Sequence, residues 1–144
     1  MGMKLKEAKI RVRYQETDKM GVVYYSNYFI WFEVGRTEYF RGLGMPYIEF
    51  EKNDLYLPAV EAFCQFRAPA RYDDLLTVVT RVSSFQEVRI TFEYEVIRDQ
   101  DGEVLAQGHT EHAFVNGQGR PVVLKKQNPF LWRRLMEAME ESED

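Results

Sequence analysis

One strongly apolar segment, residues 27–43, limits the possible folds of this chain more than any other feature. Its large side chains occur on nearly every side of a helix: Tyr28, Phe29, Ile30, Trp31, Phe32, Val34, Tyr39, Phe40 and Leu43. Such a pattern predicts a helix that other structure encloses. Ser26 or Asn27 is predicted to cap its start through a side-chain oxygen. Gly35, in mid-helix, predicts the close approach of another backbone, such as a strand.

The rest of the chain shows mainly the alternating pattern of β-strands. Residues 8–14 alternate in this way, and four more strands are predicted at 57–66, 75–85, 88–97 and 104–115. A short strand is predicted at 122–124 and a terminal helix from Phe130. A central helix followed by long strands predicts one α+β domain over residues 1–144, in which an antiparallel sheet curls around the helix.

The segment after the central helix predicts a short cover. Residues 46–53 are expected to form a short helix or an irregular stretch, with Tyr47, Ile48 and Phe50 turned inward. Such a domain leaves two sheet edges exposed, and pairing at an edge or packing of helix-bearing faces would bury them. We therefore expect a symmetric homo-oligomer.

Composition narrows the functional classes. The chain has 144 residues and a net charge of -4, and its excess acid is concentrated in an end that we expect to be solvated and frayed from about residue 140. The nearly neutral body argues against a nucleic-acid surface. Cys64 is the only cysteine, which excludes an internal disulfide. The start has no apolar core of signal-peptide length, so a cytoplasmic location is expected.

Asp18 is the leading candidate for chemistry. It lies in a loop, residues 15–25, just ahead of the apolar helix. A carboxylate can attack a carbonyl or act as a base, while N–H groups at a helix start can polarise the carbonyl oxygen. The apolar neighbours Met20, Val22 and Tyr24 suggest that the carboxylate is partly desolvated. The alternative is an ordinary turn residue that bonds its own backbone.

Three segments resemble a known family. Residues 14–28 read YQETDKMGVVYYSNY, residues 32–38 read FEVGRTE, and residues 66–74 read FRAPARYDD. These segments resemble the hotdog-fold acyl-CoA thioesterases of the 4-hydroxybenzoyl-CoA thioesterase type, including the YbgC-like branch. The likeness covers roughly residues 8–135. It implies a hotdog fold and hydrolysis of an acyl-CoA thioester to a free acid and coenzyme A.

The resemblance also implies roles for residues. Asp18 takes the position of the catalytic carboxylate, which attacks the thioester carbonyl or directs a water at it, and the backbone N–H of Tyr25 polarises the carbonyl oxygen. Tyr25 stands where many YbgC-like members carry His. Because a phenol with a pKa near 10 is a poor base at neutral pH, its side chain is expected to position rather than to transfer protons.

Substrate contacts follow from the same resemblance. The acyl group is expected to meet Tyr24, Ser26, Asn27 and Phe29. The coenzyme A phosphates are expected to meet basic side chains, among which the candidates are Arg67, Arg71, Arg89, Lys125 and Lys126. No metal or bound cofactor is expected, since coenzyme A is part of the substrate. The expected partners are the acyl-CoA substrate, an acyl carrier protein and further copies of the chain, as a dimer or a homotetramer built from two dimers.

Two other functional classes stay open. A hotdog dehydratase generally needs a His with an acid partner, and neither His109 nor His112 lies in the loop and helix. A non-catalytic binding module for acyl-CoA or acyl carrier protein would keep the pocket without releasing thiol.

Other reactive side chains have structural explanations. His109 and His112, three apart on a strand, point to opposite faces, which argues against a metal pair. Glu33 and Glu38 are secondary catalytic candidates, with a buried hydrogen-bonded acid or a Glu38–Arg41 ion pair as the preferred alternative. Cys64 fits a small buried thiol.

Overall fold

A five-stranded antiparallel sheet wraps around one long helix, which confirms the predicted fold class. The computed structural model describes residues 5–143, with side chains for residues 5–140. The strands are β1 (Leu5–Arg11), β2 (Ala59–Phe66), β3 (Leu75–Phe85), β4 (Arg89–Arg98) and β5 (Val104–Ala113). The helices are α1 (Asn27–Gly42), α2 (Tyr47–Lys52), α3 (Leu124–Gln127) and α4 (Pro129–Glu143), and a 3₁₀ turn spans Tyr14–Glu16. The strand order is β1-β3-β4-β5-β2, so β1 and β2 are the two edges.

Helix α1 packs its aromatic side against the sheet. The rings of Phe32 and Tyr94 stack with their centroids 4.2 Å apart, and Phe40 meets Phe92 at 5.4 Å. The predicted close approach of a strand at Gly35 is confirmed, but the contact is with side chains of β3 rather than with its backbone: a Cβ there would run into the Thr80 hydroxyl and lie 3.0 Å from Val78 Cγ1. Because Gly35 has no side chain, α1 packs directly against β3.

The prediction that α1 is enclosed on every side is wrong for the single chain. Ile30 is 50% exposed and Val34 is 37% exposed. A single sheet has only one concave face to offer, so it covers the side of α1 that carries Trp31 and Phe32 and leaves the opposite side open.

Two local predictions about α2 and α3 are also wrong. Ile48 is 70% exposed, whereas Tyr47 is partly buried and Phe50 is buried. The short strand predicted at 122–124 is absent, because α3 begins at Leu124. Only Leu124 of these three residues is fully buried. The chain turns at Leu124, and the Leu124 N–H donates a hydrogen bond to the Glu87 carbonyl at 2.8 Å.

A directed chain of hydrogen bonds lies between α1 and the sheet. Arg36 Nη1 donates to the Tyr94 hydroxyl at 3.4 Å. The Tyr94 hydroxyl lies 2.6 Å from Thr110 Oγ1, and Thr110 Oγ1 lies 2.8 Å from His112 Nε2. His112 Nδ1 lies 3.0 Å from the Leu57 carbonyl, which only accepts, so Nδ1 carries the proton. Burial lowers the pKa of His112 to about 4, so the ring is neutral at physiological pH.

The ends of the chain are only partly described. Residues 1–4 and Asp144 lie outside the described part, as do the side chains of residues 141–143, so the predicted frayed end from about residue 140 stays a prediction. Within residues 5–143, every helix is too short or too polar to cross a membrane.

Candidate active site

The loop that carries Asp18 and the loop after β2 pair with each other. Val22 forms an isolated antiparallel bridge with Arg71, and the N–H of Val23 donates to the Ala70 carbonyl at 2.9 Å. The N–H of Ala70 in turn donates to the Tyr28 hydroxyl at 3.3 Å. Two sequence segments that are distant in the chain therefore form one layer at the start of α1.

Asp18 occupies the first position of a tight turn. Thr17 and Val23 form an antiparallel bridge, and the Asp18 N–H donates to the Val22 carbonyl at 2.8 Å. The Gly21 N–H closes the turn on the Asp18 carbonyl at 3.0 Å. Gly21 has φ of +79°, a left-handed conformation that favours glycine. The backbone around the carboxylate is thus fixed on both sides.

The carboxylate of Asp18 faces solvent in the single chain. Its Oδ1 accepts a 2.8 Å hydrogen bond from the Met20 N–H, as a turn residue would. No hydrogen bond reaches Oδ2 from residues 5–143. Asp18 is exposed, and Met20 beside it is 82% exposed, so the single chain does not provide the expected desolvation. One oxygen is engaged and the other is available to a ligand.

The start of α1 leaves two N–H groups free. The Tyr24 N–H donates to the Glu16 carbonyl at 2.9 Å, and the Asn27 N–H to the Tyr24 carbonyl at 3.0 Å. Between them, the N–H groups of Tyr25 and Ser26 have no acceptor in the described part of the chain. Orphan N–H groups at a helix start suit an anionic oxygen.

The predicted side-chain cap of α1 is wrong. Ser26 makes no capping hydrogen bond. Asn27 donates instead of accepting, through Nδ2 to the carbonyls of Glu16 at 3.1 Å and Tyr24 at 3.2 Å. The Asn27 amide therefore ties the loop to the helix rather than satisfying helix N–H groups.

An aromatic cavity of about 290 Å³ opens beside the helix start. It is lined by Val23, Tyr25, Tyr28, Phe66, Arg67, Ala68 and Pro69. Phe66 stands edge-on to Tyr25 at 6.4 Å and to Tyr28 at 5.1 Å between ring centroids. Edge-to-face rings of this kind offer flat apolar surfaces to a ligand.

The two tyrosines at the helix start form a pair. Tyr24 and Tyr25 have ring centroids 4.6 Å apart, and a hydrogen bond with Tyr25 raises the pKa of the Tyr24 phenol. The Tyr24 phenol therefore stays protonated at neutral pH and can donate a hydrogen bond.

The predicted acyl contacts are only partly gathered at this cavity. Tyr25 lines it, but Tyr24, Ser26, Asn27 and Phe29 do not. Phe29 packs edge-on against Phe32 at 5.8 Å, which takes it into the core side of α1. The cavity residues that the sequence did not assign to substrate binding are Val23, Tyr28, Phe66, Ala68 and Pro69.

Glu16 is the most informative residue that sequence reasoning missed. It is 5% exposed and accepts hydrogen bonds from the Arg13 N–H at 2.8 Å and from Trp31 Nε1 at 3.0 Å. A signal was present in the sequence. A tryptophan in a buried helix needs an acceptor for its N–H, and Glu16 lies in the adjoining loop.

The four principal basic candidates divide between the two ends of the sheet. Arg67 and Arg71 lie in the layer beside Asp18, where Phe66 opposes Ala106 of β5. Arg89 opposes Ala113 at the other end, about 23 Å away at 3.3 Å per residue. Lys125, in α3, follows Leu124, which bonds to the turn before Arg89. One chain alone therefore cannot bring all four to one ligand.

The secondary candidates behave largely as structural residues. Glu38 forms the expected ion pair with Arg41 at 3.2 Å, whereas Glu33 is exposed rather than buried. His109 and His112 lie on opposite faces, as expected, with His109 bonded to Glu61 and His112 buried.

Cys64 lies on the edge strand β2 and is half-buried rather than fully buried. Burial raises the pKa of its thiol to about 11, so it is not a thiolate at neutral pH.

Comparison with known proteins identifies the family to which this chain belongs. Residues 12–140 match the family model described as the Thioesterase-like superfamily. The chain is 30% identical over 128 residues to the putative acyl-CoA thioesterase YneP of Bacillus subtilis, an alignment that covers 88% of this chain and 92% of that protein. It is 33% identical over 120 residues to the acyl-CoA thioesterase YbgC of Haemophilus influenzae, covering 82% and 87%.

A solved structure extends the likeness to the whole fold. The DHNA-CoA thioesterase of Staphylococcus aureus superposes with a TM-score of 0.89 at 30% identity, covering 96% of this chain and 93% of that one. The family model spans nearly all of the described residues, and the paired loops at the start of α1 supply a carboxylate, free N–H groups and an aromatic cavity. The chain belongs to the Thioesterase-like superfamily and is a hotdog-fold thioester hydrolase.

Proposed function

We propose that this enzyme hydrolyses an acyl-CoA thioester at the start of α1, with Asp18 as the reacting carboxylate and the Tyr25 N–H as the oxyanion donor. The observation that carries the proposal is that Tyr25 lines the aromatic cavity and has an unpaired N–H, beside the fixed turn that presents Asp18. Removal of one donor to a developing oxyanion typically costs about 3 to 4 kcal/mol of transition-state stabilisation.

Two routes use the same groups. In the first, the free Asp18 oxygen attacks the thioester carbon, the C–S bond breaks, coenzyme A leaves as thiolate, and water then hydrolyses the acyl-aspartyl anhydride. In the second, Asp18 takes a proton from a water that attacks the carbonyl, and the proton is passed to the departing thiolate. In both routes the carbonyl oxygen becomes negative next to the Tyr25 N–H. Neither route calls for a metal or a resident cofactor.

We propose that the working form is a homodimer joined through β2. Among the described strands, β2 pairs with β5 alone, and its free edge exposes Phe63 and Phe66, whereas the opposite edge, β1, carries Lys6 and Lys9. Lysines protect a sheet edge from pairing, and an apolar edge invites it. A second copy at β2 would also cover the exposed loop and desolvate Asp18.

Two-fold pairing would also bring the basic candidates closer together. Because antiparallel β2 strands run head to tail, the Phe66 end of one sheet adjoins the Ala59 end of the other. Arg67 and Arg71 of one copy would then approach the sheet end that carries Arg89 and Lys125 in the second copy. We propose that these side chains share the coenzyme A phosphates. A tetramer would form if two dimers also bury the open α1 sides around Ile30 and Val34.

The test is thiol release from a panel of substrates. Unmodified protein and Asp18→Asn are compared on acetyl-, isobutyryl-, benzoyl- and palmitoyl-CoA and on an acyl carrier protein thioester, with EDTA present. We expect turnover of at least one substrate and a loss of at least about 100-fold in kcat for Asp18→Asn. Near-normal turnover by Asp18→Asn would contradict the assignment.

The same panel, with a 3-hydroxyacyl-CoA added, separates the alternative functions. Saturable binding without thiol release would identify a binding module for acyl-CoA or acyl carrier protein. Loss of water from a 3-hydroxyacyl-CoA without thiol release would identify a dehydratase.

A further inference from the structure

We infer that Glu16 is a positioning residue for the reaction, which sets Asp18 against the start of α1. This inference rests on the proposed function, because it concerns the same site. Glu16 precedes Asp18 by two residues and is buried, while Asp18 is exposed. A buried carboxylate in a largely exposed loop needs a structural or functional reason.

The carboxylate of Glu16 joins the loop to two other parts of the chain. Oε1 accepts the Arg13 N–H at 2.8 Å, at the end of the segment that follows β1. Oε2 accepts Trp31 Nε1 at 3.0 Å, in the second turn of α1, and lies 3.7 Å from an Arg13 guanidinium nitrogen. Each oxygen thus has its own N–H donor, and the indole is fixed by burial in the core.

The backbone of Glu16 holds the far end of the same loop. Its carbonyl accepts the Tyr24 N–H at 2.9 Å and Asn27 Nδ2 at 3.1 Å. Glu16 therefore connects both ends of the loop that carries Asp18, because its side chain bonds to α1 and its carbonyl bonds to Tyr24, the residue before Tyr25. The placement of Asp18 relative to the Tyr25 N–H depends on these hydrogen bonds of Glu16.

The side chain must be a carboxylate to make both contacts. Arg13 N and Trp31 Nε1 are both donors, and a carboxylate can accept from both. A glutamine has one acceptor oxygen, so one donor would lose its acceptor and face the amide N–H group. Glu16→Gln keeps the size of the side chain and removes one of the two anchors.

A misplacement of reacting groups by about 1 Å can cost about 100-fold in rate. We therefore expect Glu16→Gln to lower kcat by roughly 10- to 100-fold while KM changes by less than about two-fold. Trp31→Phe, which keeps an aromatic ring and removes the other end of the contact, should lower kcat in the same way. The matched control is Glu49→Gln, a partly exposed acid on α2 that pairs with Lys52 at 3.3 Å, and its kcat should stay unchanged.

The decisive measurement is the effect of Glu16→Gln on the rate of a protein that already carries Asp18→Asn. If Glu16 acts by placing Asp18, then Glu16→Gln should reduce the residual rate of Asp18→Asn by less than about two-fold. A purely structural role would lower the rate by the same factor in both backgrounds, and that result would overturn the inference. Rates are measured on protein shown to be folded by circular dichroism, well below each melting temperature.

The remaining outcomes are also distinguishable. Wild-type kcat in both Glu16→Gln and Trp31→Phe, together with a large loss in Asp18→Asn, would overturn the role of Glu16 and leave the proposed function standing. Near-normal turnover by Asp18→Asn alone would overturn the proposed function, and the role of Glu16 with it.

Discussion

The backbone of Gly35 in α1 lies directly against the hydroxyl of Thr80 in β3. A Cβ at Gly35 would overlap Thr80 Oγ1 and reach within 3.0 Å of Val78 Cγ1. Thr80 Oγ1 is buried and has no hydrogen-bond partner in the described structure. This contact sets how closely the central helix approaches the sheet, and therefore the position of Tyr25, which lies just before the first turn of the helix.

Gly35→Ala should destabilise the fold by about 1 to 3 kcal/mol, because overpacking exceeds the gain of about 1 kcal/mol in helix propensity. Denaturant unfolding measures the change in the free energy of unfolding. Thr80→Ala removes the overlapping oxygen, so the double variant Gly35→Ala/Thr80→Ala should recover part of the loss. A Gly35→Ala protein as stable as the unmodified one would contradict this account of the contact.

His112 should make stability depend on pH between about 6.5 and 4. Its folded pKa is lowered to about 4, while the unfolded ring titrates near 6.5. As pH falls through this window the unfolded chain takes up a proton that the folded chain does not, so stability is lost as pH falls. The free energy of unfolding should drop by up to about 3 kcal/mol across the window.

The matched variant for this prediction is His112→Gln, which keeps a donor and an acceptor and does not titrate. The difference between the two unfolding profiles isolates His112, since the carboxyl groups of Asp99 and Asp101, whose pKa values are lowered by their hydrogen bonds, are the same in both proteins. Parallel profiles from pH 6.5 to 4 would show that the ring is not held neutral.

Tyr25 should act through its backbone rather than its phenol. Tyr25→Phe keeps the N–H and should lower kcat by less than about five-fold, whereas Tyr25→Pro removes the N–H and should cost about 100-fold or more. Steady-state thiol release measures both, with thermal melting as a check on folding. A loss in Tyr25→Phe as large as that in Asp18→Asn would assign the chemistry to the phenol.

The β2 edge should control assembly. Ala62→Lys places a charge in the exposed edge strand and should convert the dimer to a monomer in sedimentation, with loss of most thiol release, because the exposed Asp18 loop would lose its cover. The matched control is Gln86→Lys, in the turn between β3 and β4, which should leave assembly and rate unchanged. An active monomer would contradict the proposed role of the second copy.

Arg67 should contribute to coenzyme A binding from within the site. It lines the aromatic cavity and is held by Gln107 at 2.8 Å and Gln65 at 3.2 Å. Arg67→Ala should raise KM several-fold with little change in kcat, because a phosphate contact is equal in the ground and transition states. The control is Arg133→Ala, an exposed residue on α4. An unchanged KM would remove Arg67 from the binding surface.

Much of the fold could be predicted from local pattern. The alternation in 88–97 gave β4 nearly to the residue, because side chains on a pleated strand alternate between a core and a solvent face, and the strand-type composition of 75–85 gave the bounds of β3. Strand 8–14 was less accurate, because β1 spans Leu5–Arg11. Helix α1 begins at Asn27 as predicted, but its predicted side-chain cap is absent, since the Asn27 amide donates to the Glu16 carbonyl in the preceding loop, a contact that no local pattern contains.

The sequence by itself determined the central helix, the sheet around it and the three family-like segments, since these follow from periodicity and from residue types in fixed order. Only the tertiary structure showed that segments 14–28 and 66–74 pair through Val22 and Arg71, that Asp18 is exposed, and that Glu16 is buried against Trp31. The physical reason is that burial and hydrogen-bond partners depend on groups that are distant in the sequence and come together only on folding. A carboxylate has the same local sequence signal whether it faces water or an indole N–H.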